Sequence, residues 1–135
     1  MGDDKPQHLE FIQNAVSRMA ANSFLLKGWS VTLAAGLFAL AARDSDWRVA
    51  AVAFLPTIAF WSLDAYYLYQ ERLFRCLYDA VRNGEGAVDR FALDTAAVSR
   101  RTQSWRRTLL TPVVLGVHGP ILIAVILVML LLGMR

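Results

Sequence analysis

Two uncharged stretches of fifteen residues, joined by a short polar turn, constrain this chain more than any other feature. Residues 28–42 (GWSVTLAAGLFALAA) and 49–63 (VAAVAFLPTIAFWSL) flank the turn Arg43-Asp44-Ser45-Asp46-Trp47-Arg48. One charge sits just beyond each arm on the side away from the turn, Lys27 before the first and Asp64 after the second. Counted outward from the turn, both lie about sixteen residues away, or roughly 24 Å along a helix. An antiparallel helical hairpin therefore sets an ammonium and a carboxylate at one depth. With 56% of its 135 residues hydrophobic, the chain is also more apolar than a soluble domain of this length. The hairpin reads as membrane-spanning.

Taken in order, the chain extends each arm beyond a bilayer. Pro6 suits the first turn of a helix. Leu9, Ile12, Val16 and Met19 then recur at steps of three and four, with Gln13, Asn14, Ser17 and Arg18 opposite, the signature of an amphipathic helix. No Gly or Pro separates it from the first arm, so one helix is predicted over residues 7–42. Its length, about 54 Å, exceeds the roughly 30 Å hydrocarbon core, and the surplus projects as a cytoplasmic stalk. The second helix is predicted over 47–83. Pro56 kinks it, and Trp47 at one end and Tyr66, Tyr67 and Tyr69 at the other mark the two interfaces. Beyond them Leu73, Phe74, Leu77, Tyr78 and Val81 line one side and Glu71, Arg72, Arg75, Asp79 and Arg82 the other, up to the stop signal Asn83-Gly84-Glu85-Gly86. The stripes at 9–19 and 73–81 are expected to pack together below the membrane.

Residues 84–108 form the cytoplasmic connection. The spacing of Phe91, Thr95, Val98, Thr102 and Trp105 predicts helix over most of 89–111. The uncharged run that follows makes 109–134 a third span, although Gly116-Val117-His118-Gly119-Pro120 leaves a re-entrant or broken element as the alternative. Residues 71–107 hold eight arginines against two in the hairpin turn. By the positive-inside rule the long connection and the N-terminus are cytoplasmic and the C-terminus lies outside. The polar, acidic start MGDDKPQHLE does not read as a secretory signal peptide. The expected fold class is thus all-α: a single membrane domain with three transmembrane helices and cytoplasmic helical extensions.

Candidate functional residues are few. Lys27 and Asp64 form an intramembrane ion pair, read either as a packing device with a snorkelling lysine or as the lining of a water-filled path. His118, placed near mid-membrane, either hydrogen-bonds a carbonyl freed by Pro120 or acts as a proton-sensitive gate. Ser30 and Thr32 join it as inward-facing polar candidates. Gly28, Ala35, Gly36 and Ala39 give the first span a small-residue face for close packing, within the hairpin or against another copy. Arg100, Arg101, Arg106 and Arg107, with Trp105 among them, read as a site for anionic lipid headgroups, with an acidic partner, a nucleotide or a nucleic acid as the alternative. No nucleic acid partner is expected. The sequence carries no phosphate-binding glycine loop and no metal-spaced His/Cys set. His8 and His118 fall on different elements, and the single cysteine, Cys76, reads as packed. No catalytic residue, metal or cofactor is expected.

The hairpin that runs directly into Tyr69-Gln70-Glu71-Arg72-Leu73-Phe74-Arg75-Cys76-Leu77-Tyr78 resembles the two-transmembrane effector domains of bacterial nucleotide-signalling and anti-phage systems, over about residues 20–82. The third span is an addition to that plan. The resemblance implies a homo-oligomer in the bacterial inner membrane that perforates or depolarises it when a separate cytoplasmic sensor signals. The other reading is a non-conducting anchor whose cytoplasmic helices recruit a partner.

Overall fold

The computed structural model describes residues 4–84 and 92–134. Glu85 and Gly86 of the stop signal, and Asp89 and Phe91 at the start of the connection, lie outside them. The first helix, α1, runs unbroken over Lys5–Asp44 and is about 60 Å long. Pro6 sits in its first turn, and Ser45 ends it in the left-handed region at φ 50°. Asp46 then accepts a hydrogen bond from the Arg48 amide at 2.9 Å and caps α2, Trp47–Val52. The reversal is that tight because a left-handed residue and a helix cap are adjacent.

The kink expected at Pro56 falls one turn earlier. Proline lacks an amide donor, and its ring crowds the carbonyl four residues back, here that of Val52. The helix divides there, into α2 and α3 (Phe54–Arg82). Ala53 lies between them, its amide bonded to Ala50 at 3.1 Å. The far end of α3 stops as the sequence implied: Gly84 adopts φ +71° and its amide bonds the Val81 carbonyl. Lys5 Nζ donates to the Arg82 carbonyl at 2.8 Å. A cation from the start of α1 thereby closes the carbonyl end of α3.

The connection departs from the helix predicted over 89–111. Its described part is a 3-10 turn, Ala96–Arg101, and a single α-turn, α4, Trp105–Thr108. The cause is local competition by short polar side chains. Asp94 accepts from the Ala96 amide, Ser99 Oγ donates to the Ala96 carbonyl, and Thr111 Oγ1 donates to the Thr108 carbonyl. The last helix, α5, covers Pro112–Gly133 and continues through Pro120. The broken alternative is therefore not what the chain adopts.

Packing follows two cores. Ile12, Leu77, Ala80 and Val98 form one, with Phe74, Tyr78 and Val81 against it. This is the expected meeting of the 9–19 and 73–81 stripes, joined by one residue of the connection. Ala34, Ala53, Ile121 and Val125 form the other, where α1, α3 and α5 meet around the α2–α3 break. The small-residue face does not serve this packing. Gly28, Ala35, Gly36 and Ala39 are exposed, and a Cβ built on Gly28 or Gly36 meets no atom within 4 Å. The hairpin instead closes through Ser23, Ser30, Ala34 and Ala41, on a different side of the same helix. Large apolar side chains cover the outside, among them Phe24 and Leu55, each more than three-quarters exposed. Water does not tolerate a surface of that kind. Among the described residues the protein is all-α, with three helices long and apolar enough to cross a membrane.

Candidate functional site: a buried charge cluster between three helices

Three side chains from two helices converge on a carboxylate of a third. Ser23 and Lys27 lie one turn apart on α1, so both face the same neighbour. Asp64 comes from α3 and His118 from α5. Lys27 Nζ donates to Asp64 Oδ1 at 2.6 Å and to Ser23 Oγ at 2.8 Å. Ser23 Oγ donates to the same Oδ1 at 2.5 Å. His118 Nε2 lies 3.1 Å from the other oxygen, Oδ2. An ionised carboxylate only accepts, so Nε2 carries the proton in this contact. His118 Nδ1 is left buried with no hydrogen-bond partner.

Burial defines the character of this site. Asp64 and His118 are wholly buried, while the Lys27 side chain retains 17% of its surface. A charge taken out of water costs several kcal/mol, about as much as a well-made pair recovers. The short contacts to both carboxylate oxygens offset part of that cost, and the Lys27 side chain keeps an open edge. The chemistry available is charge compensation and proton sharing across three helices. It is not a nucleophilic triad: His118 meets Asp64 on the oxygen that Ser23 does not use, so no imidazole base reaches the Ser23 hydroxyl. Among the described residues no group of three or more His, Cys, Asp and Glu side chains gathers as a metal site.

The Lys27–Asp64 pair and His118 were separate features in the sequence, and the fold joins them. The depth count underlies the first contact. His118 stands level with the pair, in contact with Asp64. Residues 109–111 turn rather than climb, so α5 starts at Pro112 and His118 stands only about 9 Å above that point. Ser23 carries no sequence signal beyond its place four residues before Lys27. Trp61 and Trp105 were missed as ties: the Trp61 indole donates to the Leu109 carbonyl at 3.0 Å and that of Trp105 to Ser62 at 3.3 Å. They fasten α3 to the segment that delivers α5.

The remaining candidates separate. Ser30 is buried, but its hydroxyl donates to the Leu26 carbonyl on its own helix. Thr32 is exposed and donates to the Gly28 carbonyl, so it faces away from the cluster and is not an inward polar group of the single chain. Arg100, Arg101, Arg106 and Arg107 are all exposed, and two of them line different clefts. Arg101 lines a cleft with Arg72 and Arg75, and Arg106 lines an apolar groove with Trp61, Trp105 and Leu109.

The fold and the cluster define an all-α membrane protein with a buried charge cluster between its helices. No family of known proteins, no curated protein and no solved structure matches the chain.

Proposed function

We propose that this protein is a homo-oligomeric bacterial inner-membrane effector that permeabilises or depolarises the membrane, triggered by a cytoplasmic partner. The N-terminus and connection face the cytoplasm in this reading and the C-terminus the periplasm. The observation that carries it is the exposed face of Gly28, Thr32, Ala35, Gly36 and Ala39 on α1. In lipid, small residues at that spacing let a second helix approach closely, and the protein's own hairpin leaves them unused. The charge cluster is closed within one chain, so a lone copy is non-conducting. Conduction requires copies to assemble and the cluster to open toward the path, with His118 as the proton-sensitive element of that gate.

Gly36→Leu tests the assembly. Nothing within 4 Å opposes a side chain there, so the unfolding midpoint of the single chain is expected to stay within about 1 kcal/mol of wild type. Crosslinked oligomers and dye leakage from proteoliposomes are expected to disappear together. Leakage that persists in Gly36→Leu sinks the reading. If His118→Ala leaves leakage and its pH response intact, the gate fails separately. A second reading has its own support: Ile12, Leu77, Ala80 and Val98 build a packed base outside the apolar spans, a platform for a partner protein on a non-conducting anchor. Self-association without leakage under any trigger favours that reading.

A further inference from the structure

The two tryptophans that fasten α3 to the segment before α5 both line a groove of about 490 Å³. Their hydrogen bonds fix how the groove runs. The Trp105 indole donates to the Ser62 carbonyl at 3.3 Å, which sets Ser62 beside Trp105-Arg106. The Trp61 indole donates to the Leu109 carbonyl at 3.0 Å. Beyond that tie lie Ile58, back along α3, and Leu110, forward along the chain, both lining the groove and both more than half exposed. The groove is therefore graded, from Arg106 and Ser62 at one end to Ile58 and Leu110 at the other. Both indole N–H groups are taken by carbonyls, so the rings between offer the groove only their carbon faces and edges.

The polar end is left open. No carboxylate lines the groove. Among the described residues neither the Arg106 guanidinium nor the Ser62 hydroxyl has a hydrogen-bond or ion-pair partner. The acidic residues of α3 that flank this level are engaged elsewhere, Asp64 by Lys27 and Glu71 by Arg75. A lone cation and a free hydroxyl, followed by aromatic and then aliphatic surface, match an anionic amphiphile. Its acidic head meets Arg106, where a charge-assisted hydrogen bond is strong, and its chain covers Trp61, Leu110 and Ile58. A soluble anion would leave the apolar end bare, and a zwitterionic lipid brings its own cation to compete with the guanidinium. The volume holds a headgroup and part of one chain.

We propose that this groove binds an anionic phospholipid, with the phosphate at Arg106 and one acyl chain running toward Ile58. The site lies where the arginines of α4 give way to the apolar start of the last helix, and it stands whether or not the protein conducts.

The test uses the full chain in vesicles, with Trp29→Phe and Trp47→Phe leaving Trp61 and Trp105 as the fluorophores. Quenching by phosphatidylglycerol or phosphatidylcholine brominated on an acyl chain reads which lipid reaches the two indoles. With Arg106 in place, phosphatidylglycerol is expected to be favoured about fivefold, the effect of one arginine on an anionic headgroup. Arg106→Gln is expected to bring the ratio to about one, and Arg106→Lys, which keeps the charge, to preserve the preference. Arg107→Gln removes the same charge from the next residue, which does not line the groove, and is expected to leave the ratio within about twofold. No preference with Arg106 in place, or equal losses in Arg106→Gln and Arg107→Gln, overturns the proposal. So does quenching by neither lipid, which would put a protein segment in the groove. Arg106 is exposed, so circular dichroism is expected to show unchanged helicity in all three arginine variants.

Discussion

Asp64→Ala is expected to destabilise the protein by about 3–5 kcal/mol, the cost of stranding one partner of a buried ion pair. The carboxylate is wholly buried and holds Lys27, Ser23 and His118 at once. Its removal leaves an ammonium beside a hydroxyl and an imidazole, with no counter-charge in reach. The magnitude discriminates. Ordinary interhelical hydrogen bonds in membrane proteins average only about 0.6 kcal/mol, so a loss of that size means the cluster is a plain polar contact. The double variant Lys27→Met with Asp64→Leu is expected to regain most of the loss, because an apolar pair of similar bulk needs no desolvation. Asp64→Asn falls between. Its amide donates to His118 Nε2 only if the imidazole proton moves to Nδ1, and its remaining oxygen carries no charge for Lys27. Unfolding of the purified protein by denaturing detergent measures all three. A double variant as unstable as Asp64→Ala shows that the cluster is not an interaction between these two charges.

Legibility in the sequence followed the range of the interactions. The two arms and the charge at the end of each are local facts, and helical rise alone brought Lys27 and Asp64 level. The meeting of Ile12 with Leu77 was readable for the same reason, because both stripes continue helices whose register the hairpin turn sets. What failed depended on which way a helix rotates. Gly28 and Gly36 look like a packing seam, yet Ser23, Ser30, Ala34 and Ala41 take that place, and no pattern in one helix states which face its neighbour prefers. His118 was readable as an odd residue but not as a partner of Asp64. Its height depends on residues 109–111 turning, and there Thr108 and Thr111 override the helical spacing. The cleft that Arg72 and Arg101 line was invisible because the two lie 29 positions apart.

Leu77→Ala is expected to cost about 2–5 kcal/mol and to act on one part of the molecule. Leu77 is fully buried against Ile12, Ala80 and Val98, and deleting its branched end leaves a cavity that backbone helices cannot easily fill. In the proposed topology the base lies in water and draws its stability from it. Its stripes are amphipathic, with Gln13, Asn14, Ser17 and Arg18 on the solvent side, and hydrophobic burial there is worth about 25 cal/mol per Å². Nothing comparable operates between the spans, where lipid is as apolar as the helices. The two cores are therefore expected to respond separately. Hydrogen exchange should rise at residues 8–18 and 70–82 in Leu77→Ala, while amides around Ser23, Asp64 and His118 keep their protection. Ile12→Ala combined with Leu77→Ala should cost less than the sum of the two single changes, since each already opens the space the other fills. Exchange that rises equally at Asp64 and His118 would mean that base and spans unfold as one unit, and would remove the physical ground for treating the base as a separate platform.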